Sequence, residues 1–336
     1  MIPRITKSLQ TPDWQTEMSR AVYSPKALIE ALDLPKHLLT EVEKAHALFP
    51  LKVPPVYLGL IKKGDMSDPL LRQILPIGAE LDENREYSLD PVGDGLANPA
   101  QGILHKYHGR VLLVLTGACA IHCRYCFRRH FDYRANNPTG SQWQQTIEYI
   151  QRDNSIREVI LSGGDPLSLS DGKLGQLIEE LEDISHLRYL RLHTRLLIGI
   201  PSRMTEALIK RLASSRLRVS LVTHINHPQE IGTDLKEALL GLGNTPITVL
   251  NQSVLLRGVN DDVTTLETLS HSLFEAGVIP YYLHMLDRVK GANHFDIPED
   301  SARMLYRGLQ SRLPGYLLPR LVREIPGEPS KTPLLM

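Results

Sequence analysis

Cys119, Cys123 and Cys126 fall within eight positions of one another, in the run Cys119-Ala-Ile-His-Cys123-Arg-Tyr-Cys126, and the 336-residue sequence holds no other cysteine. Thiolates bind soft metals. Three of them on one tight loop can fill three corners of an iron–sulfur cube, which ordinarily takes four. The fourth iron is then open to a small chelating ligand, so the spacing points to chemistry at the cluster rather than to a closed electron-transfer centre. A structural zinc site is the alternative, with His122 or His130 as the fourth ligand, although zinc loops usually pair two separated halves. A disulfide framework fits less well, because the count is odd and a chain of this length needs no staples.

The elements that must position such a loop are written in the apolar pattern. Six apolar runs, Val111–Leu115, Glu158–Leu161, Tyr189–Leu192, Val219–Val222, Ile247–Leu250 and Ile279–Leu283, alternate with amphipathic segments. They read as buried parallel strands joined by helices. Leu174, Leu177, Ile178 and Leu181 make one apolar helix face, and Leu235, Ala238, Leu239 and Leu242 another. Repeated units of this kind form a barrel or an open doubly wound sheet, with ligands at the carboxyl ends of the strands. The chemically unusual residues follow the six runs in turn: the cysteines, Ser162-Gly163-Gly164-Asp165, His193-Thr194-Arg195, Thr223-His224, Asn251-Gln252-Ser253, and His284-Met285-Leu286-Asp287. Each alone has an ordinary structural explanation; their shared position at one predicted face is what points to a site.

Bulk properties bound the rest. The hydrophobic content of 42% suffices for a sizeable core, and 38 basic residues balance 38 acidic ones, so no net field draws the chain to nucleic acid or to an anionic membrane. Residues 1–103 carry short apolar-periodic stretches broken by prolines and read as a mainly helical region. The start, Met1-Ile-Pro-Arg-Ile-Thr-Lys, lacks the apolar core of a signal peptide, and no apolar run is long enough to span a bilayer. A cytoplasmic location is expected, where thiols stay reduced.

The pattern Cys-x-x-x-Cys-x-x-Cys, with Tyr125 ahead of the last cysteine, resembles the signature of the radical S-adenosylmethionine enzymes. In that family the open iron of a 4Fe–4S cluster binds S-adenosylmethionine and the reduced cluster cleaves it to a 5′-deoxyadenosyl radical. The resemblance implies that Gly163, Gly164 and Asp165 hold the methionine ammonium through backbone groups and the acidic side chain, and that His224 and Gln252 also contact S-adenosylmethionine. Paired glycines permit such close approach. The closing segment Pro326-Gly327-Glu328-Pro329-Ser330-Lys331-Thr332-Pro333 resembles the pyridoxal-phosphate lysine motif of the lysine 2,3-aminomutases, a family within that group. Further blocks match at His105-Lys106-Tyr107, Cys126-Phe127-Arg128-Arg129, Leu161–Asp165, Thr223–Pro228 and Asn251–Asn260, so the resemblance covers about residues 104–333.

What this family does explains why it needs both cofactors. Moving an amino group from carbon 2 to carbon 3 requires loss of an unactivated hydrogen, which a radical can remove and a side-chain base cannot. A covalent link to pyridoxal gives the migrating nitrogen a π-system to pass through. The resemblance implies a partial six-stranded (β/α)6 barrel of TIM-like form over 104–315, with Lys331 in a short segment at 316–336. Lys331 would carry pyridoxal phosphate, Lys106 and Arg110 would clamp its phosphate, and Asn251 would also contact it. Arg128 would pair with the substrate carboxylate. Clostridial members have arginine where this chain has Lys106, which keeps the charge and loses the fork.

Asp287 and Glu324 match paired aspartates that hold the ε-ammonium of lysine in the family, and two carboxylates can offset the cost of burying that charge. Glu324 departs from the pattern by one methylene. The chain ends five residues after Lys331, as in the short bacterial subfamily that supplies (R)-β-lysine for modification of translation elongation factor P. Free L-lysine is then the expected substrate, because the shift needs a free α-amine, and a separate ligase would attach the product to elongation factor P. An external electron donor must reduce the cluster, and the oligomeric state is left open.

Overall fold

The computed structural model describes residues 13–136 and 141–334; the opening heptapeptide lies outside them. Nine strands follow one another across a single sheet in chain order: β1 (Ile103–Tyr107), β2 (Arg110–Val114), β3 (Glu158–Ser162), β4 (Tyr189–Thr194), β5 (Arg218–Thr223), β6 (Thr248–Val254), β7 (Ile279–His284), β8 (Arg320–Arg323) and β9 (Thr332–Pro333). From β2 to β8 every neighbouring pair is parallel, while β1 and β9 run antiparallel at the two edges. All six apolar runs are strands in this array. The parallel set nevertheless has seven members, because Arg320–Arg323 continues the sheet where only a lysine-bearing tail was expected. The curved sheet is open between β1 and β9, so the barrel is partial.

Helices between the strands bury the faces the periodicity marks. In the helix Asp171–Glu182, Leu174, Leu177, Ile178 and Leu181 are buried, and the Ser170 hydroxyl accepts from the Lys173 amide to start it. Each such side chain contributes roughly 1.5–3 kcal/mol on burial. The helices Thr233–Leu240 and Val263–Glu275 pack in the same way, the latter capped by Asp262.

The first hundred residues form short helices, among them Pro25–Ala31 and Leu39–Leu48, whose buried Leu28, Ile29 and Val42 join the same apolar core as the strands. This region also clamps the cysteine loop. Glu80 takes two hydrogen bonds from Arg124, at 2.8 and 2.6 Å, and one from Arg129 at 2.7 Å; Arg124 and Glu80 are fully shielded from water. Removing one partner of such a set leaves a buried charge uncompensated. Among the described residues no helix is long and apolar enough to cross a membrane.

Candidate active site

The carboxyl ends of the strands open into one cavity of about 520 Å³, lined by all three cysteines and also by Lys331, which are some two hundred residues apart in sequence. The cysteine loop leaves β2 and is fixed on both sides. Its backbone binds the N-terminal region, with Arg124 N donating to Gln73 O at 2.9 Å and His122 N to Lys52 O at 3.0 Å. Burial pushes the Cys119 thiol well above its ordinary range and the Cys126 thiol to about 11, so a cation is needed to draw the protons off. His122 and His130, the two histidines that could complete a zinc site, each set one ring nitrogen against a backbone carbonyl: His122 Nδ1 lies 2.7 Å from Pro50 O and His130 Nε2 lies 3.1 Å from Lys290 O. Among the described residues no three His, Cys, Asp or Glu converge on a point that could hold a single metal ion.

Gly163 and Gly164 let β3 end against that loop. Gly163 has φ +119°, and a Cβ on it would stand 2.7 Å from Thr116 O; one on Gly164 would collide with the Ala118 carbonyl. The amides of Gly164 and Asp165 donate to Thr116 O (2.6 Å) and Ala118 O (2.8 Å). Asp165 lines the cavity beside the two glycines. Its carboxylate accepts from the amides of Leu167, Arg195 and Leu196 and from the Thr194 hydroxyl, over distances of 2.7–3.0 Å. It is buried at the junction of β3 and β4, where these bonds fix the loop.

Strand alternation decides the neighbouring residues. Gln252 on β6 faces the cavity and its Nε2 lies 3.0 Å from His224 Nε2. Asn251, one residue earlier, points the other way and is not among the residues lining the cavity. Its Oδ1 accepts from the Ile225 amide (2.8 Å) and the Thr223 hydroxyl (2.9 Å), and its Nδ2 donates to Ile225 O (3.0 Å) and Ser253 Oγ (2.9 Å). A bulge breaks the alternation on β7: Asn251 pairs with Pro280 and Gln252 with Tyr282, leaving Tyr281 extra. Both tyrosines consequently line the cavity, with ring centres 3.9 Å apart. Beneath them, Arg195 donates to Glu230 (2.7 Å) and Gln73 (2.9 Å), an arrangement that belongs to the frame of the cysteine loop.

The opposite wall is a line of charges. Asp94, which the sequence did not single out, is almost wholly buried and divides its carboxylate between Lys106 Nζ (2.6 Å) and Arg128 Nε (2.7 Å). Arg128 also donates to Ser162 Oγ at 3.2 Å. Arg110 stacks on the Tyr107 ring at 4.6 Å and has no acidic partner among the described residues. Glu324 accepts from Tyr107 Oη (2.5 Å) and from Lys331 Nζ (2.9 Å), with Lys106 Nζ at 3.8 Å. Burial would raise its carboxyl, but Lys331, Tyr107 and Lys106 hold it below the usual range. Asp287 is different. No described residue donates to its carboxylate, and burial with Glu324 nearby pushes it up to about 7 against the pull of Lys331 and Lys106.

Comparison with known proteins places this arrangement. Residues 113–250 match the radical SAM superfamily. Over 332 residues the chain is 45% identical to the L-lysine 2,3-aminomutase of Haemophilus influenzae, covering 99% of this chain and 98% of that protein. Over 331 residues it is 46% identical to the Escherichia coli protein of the same name, covering 97% and 96%. The chain belongs to the lysine 2,3-aminomutase family. A protein named glutamate 2,3-aminomutase, from Clostridioides difficile, is also similar, at 32% identity over 96% of this chain and 77% of its own length.

Enzymes of this family are isomerases that use a 4Fe–4S cluster, S-adenosylmethionine and pyridoxal phosphate, and the residues of this aminomutase fit those groups. The three cysteines, none of them in a disulfide, line the cavity together. His193 Nε2 and His284 Nε2 are buried on its walls without a partner, and burial keeps both rings neutral at ordinary pH, as it does His224, held down to about 3. Such orphaned nitrogens fit a ligand that supplies hydrogen bonds. Arg110 and Lys106 offer cations at the Lys331 end. Of the features sequence reasoning missed, Asp94 and Tyr281 left no signal: one lies in an irregular loop and the other owes its direction to a bulge.

Proposed function

We propose that this aminomutase rearranges free L-lysine to (R)-β-lysine, and that its product is attached to translation elongation factor P by a separate ligase. One observation carries the substrate reading: a single cavity joins the three cysteines to Lys331, and on its wall stands Asp287, whose carboxylate accepts no hydrogen bond from any described residue. An unpaired acid there is costly unless the ligand brings a cation. A side-chain ammonium does so, whereas the carboxylate of glutamate would be repelled. The identities of 45% and 46% over nearly the whole length of the Haemophilus and Escherichia lysine enzymes support the same choice.

The bound cluster and S-adenosylmethionine supply the radical, and pyridoxal phosphate supplies the conjugated group through which nitrogen migrates. The chain's own residues position. Cys119, Cys123 and Cys126 would hold three irons, and Gly163 and Gly164 bring the β3 loop against them, where backbone groups and Asp165 would meet the methionine ammonium. Gln252 and His224 face the same chamber. Lys331 carries the aldehyde, and Lys106 and Arg110 take its phosphate. Arg128, held at Nε by Asp94 and at Nη1 by Ser162, keeps its remaining donors for the substrate carboxylate.

The elongation-factor role assigns the free amino acid as substrate, because an α-nitrogen in a peptide bond cannot form the link to pyridoxal. An anaerobic assay of lysine with both small cofactors and a reductant, resolving α- from β-lysine and its enantiomers, tests the reaction; the absence of β-lysine refutes it. Incubation with elongation factor P and the cofactors but without free lysine or ligase tests the order of events, and modification of the factor under those conditions refutes it.

A further inference from the structure

We propose that His284 is a cofactor-binding residue of this chain, and that its Nε2 hydrogen-bonds the phenolic oxygen of pyridoxal phosphate when the aldehyde is joined to Lys331. The inference rests on the aminomutase reading above and adds a contact on the side of the ring away from the phosphate.

Four neighbouring strands each bring one imidazole or amide to the cavity: His193 on β4, His224 just beyond β5, Gln252 on β6 and His284 on β7. The middle two satisfy each other, with His224 Nε2 3.0 Å from Gln252 Nε2. His284 is left over. Its ring is 7% exposed, and its Nε2 has no partner among the described residues. A buried polar atom without a partner is uncommon in a folded protein, and on a cavity wall it points to a ligand. The ring stands edge-on to Tyr282, with centres 5.5 Å apart, and Lys331 Nζ lies 5.9 Å from the centre of that same tyrosine ring.

Strand register puts His284 at the Lys331 end. His284 pairs with Val322 across β7 and β8, and Val322 pairs with Pro333 across β8 and β9, so the three form one row facing the cavity. Lys331 comes two residues before Pro333 and lines the same cavity. Two strand spacings, about 10 Å, therefore separate the His284 row position from that of the lysine strand. The other side of Lys331 belongs to the phosphate clamp: Lys106 on β1 and Arg110 on β2 lie across the open edge of the sheet, which Tyr107 closes by donating to Glu324 at 2.5 Å. In pyridoxal phosphate the carbon bearing the aldehyde is flanked on one side by the carbon bearing the phosphate arm and on the other by the carbon bearing the hydroxyl. With the phosphate drawn towards β1 and β2, the hydroxyl side faces β7, where the orphaned nitrogen of His284 stands.

The test uses the full chain with its cluster loaded and pyridoxal phosphate removed, as wild type and as H284L. Pyridoxal phosphate, or its analogue lacking the ring hydroxyl, is titrated in at one fixed pH, and the link to Lys331 is followed by visible absorbance and by borohydride trapping with peptide mapping. Loss of one hydrogen bond should weaken pyridoxal phosphate about tenfold in H284L. Its visible band should change as well, because that band reports the hydrogen bonding of the phenolic oxygen. The analogue has nothing to offer His284, so it should bind wild type and H284L alike to within about twofold. H284F, equally without a polar atom, should behave as H284L does and serves if H284L does not fold. The affinity for S-adenosylmethionine should stay unchanged in both. An unaltered affinity and band for pyridoxal phosphate, an equal loss with cofactor and analogue, or a loss that falls on S-adenosylmethionine instead overturns the proposal. Failure of the wild-type chain to form the link at Lys331 or to convert lysine would instead sink the aminomutase reading itself.

Discussion

Replacing Asp287 with Asn should stabilise the empty protein at alkaline pH while crippling its use of lysine. Burial raises the Asp287 carboxyl from its ordinary 3.8 to about 7. The folded chain therefore keeps a proton that the unfolded chain gives up, and by linkage its stability falls as pH rises between those two values and bears the full penalty above the higher one. About three units at ~1.36 kcal/mol each set a ceiling of about 4 kcal/mol. Asp287 is only half-buried, on a cavity wall where water screens it, so about 2 kcal/mol is the working figure. Asn carries no charge and escapes the penalty. Urea unfolding of full-length wild type and D287N without cofactors, followed by circular dichroism at about pH 5 and about pH 8, should show the variant's advantage growing by at least about 1 kcal/mol between the two. An advantage that is absent, or that shrinks with pH, would refute the claim that this acid lies unpaired in the empty site.

The same acid sets a pH profile: kcat/KM for lysine should rise through a midpoint of about 7 as Asp287 ionises, and D287N should lose that limb. Asn251→Ala should cost about 2–3 kcal/mol in unfolding measurements, since it orphans buried partners, while the affinity for pyridoxal phosphate stays unchanged. Gly164→Ala should displace the cysteine loop through the Ala118 carbonyl, lowering iron and sulfide per chain after anaerobic reconstitution, whereas Gly172→Ala, which has open space around it, should not. Asp94→Asn should raise KM for lysine about tenfold or more by loosening Arg128, with a smaller loss of pyridoxal phosphate affinity through Lys106.

Much of this protein was legible in one dimension because the relevant signals are local. Three cysteines on one loop need only their spacing, and the six apolar runs became β2 to β7 because strands buried on both faces must be continuously apolar. Lys331 was singled out by its motif, and it lines the same cavity as the cysteines. What the chain alone did not show were the long-range contacts of these residues. Asp165 sits in the right loop, but Thr194 and the amides of Arg195 and Leu196, from the next strand, take up its oxygens. Asn251 and Gln252 are adjacent polar residues at a strand end, and only the register of β6 sends one outward and the other into the cavity.

The sequence by itself determined the metal address, the parallel array and the lysine that can carry an aldehyde, since each depends on residue type and short-range period. Tertiary structure alone decided how the charges are shared. Asp94 couples Lys106 to Arg128 across a loop without periodic signal, and β8 adds a seventh parallel strand whose antiparallel partner sets Glu324 opposite Lys331. Two acids that look alike in the sequence are thereby separated, one neutralised by its neighbours and one left open. Charge compensation depends on distances of a few ångströms between residues far apart in the chain, and only folding fixes those.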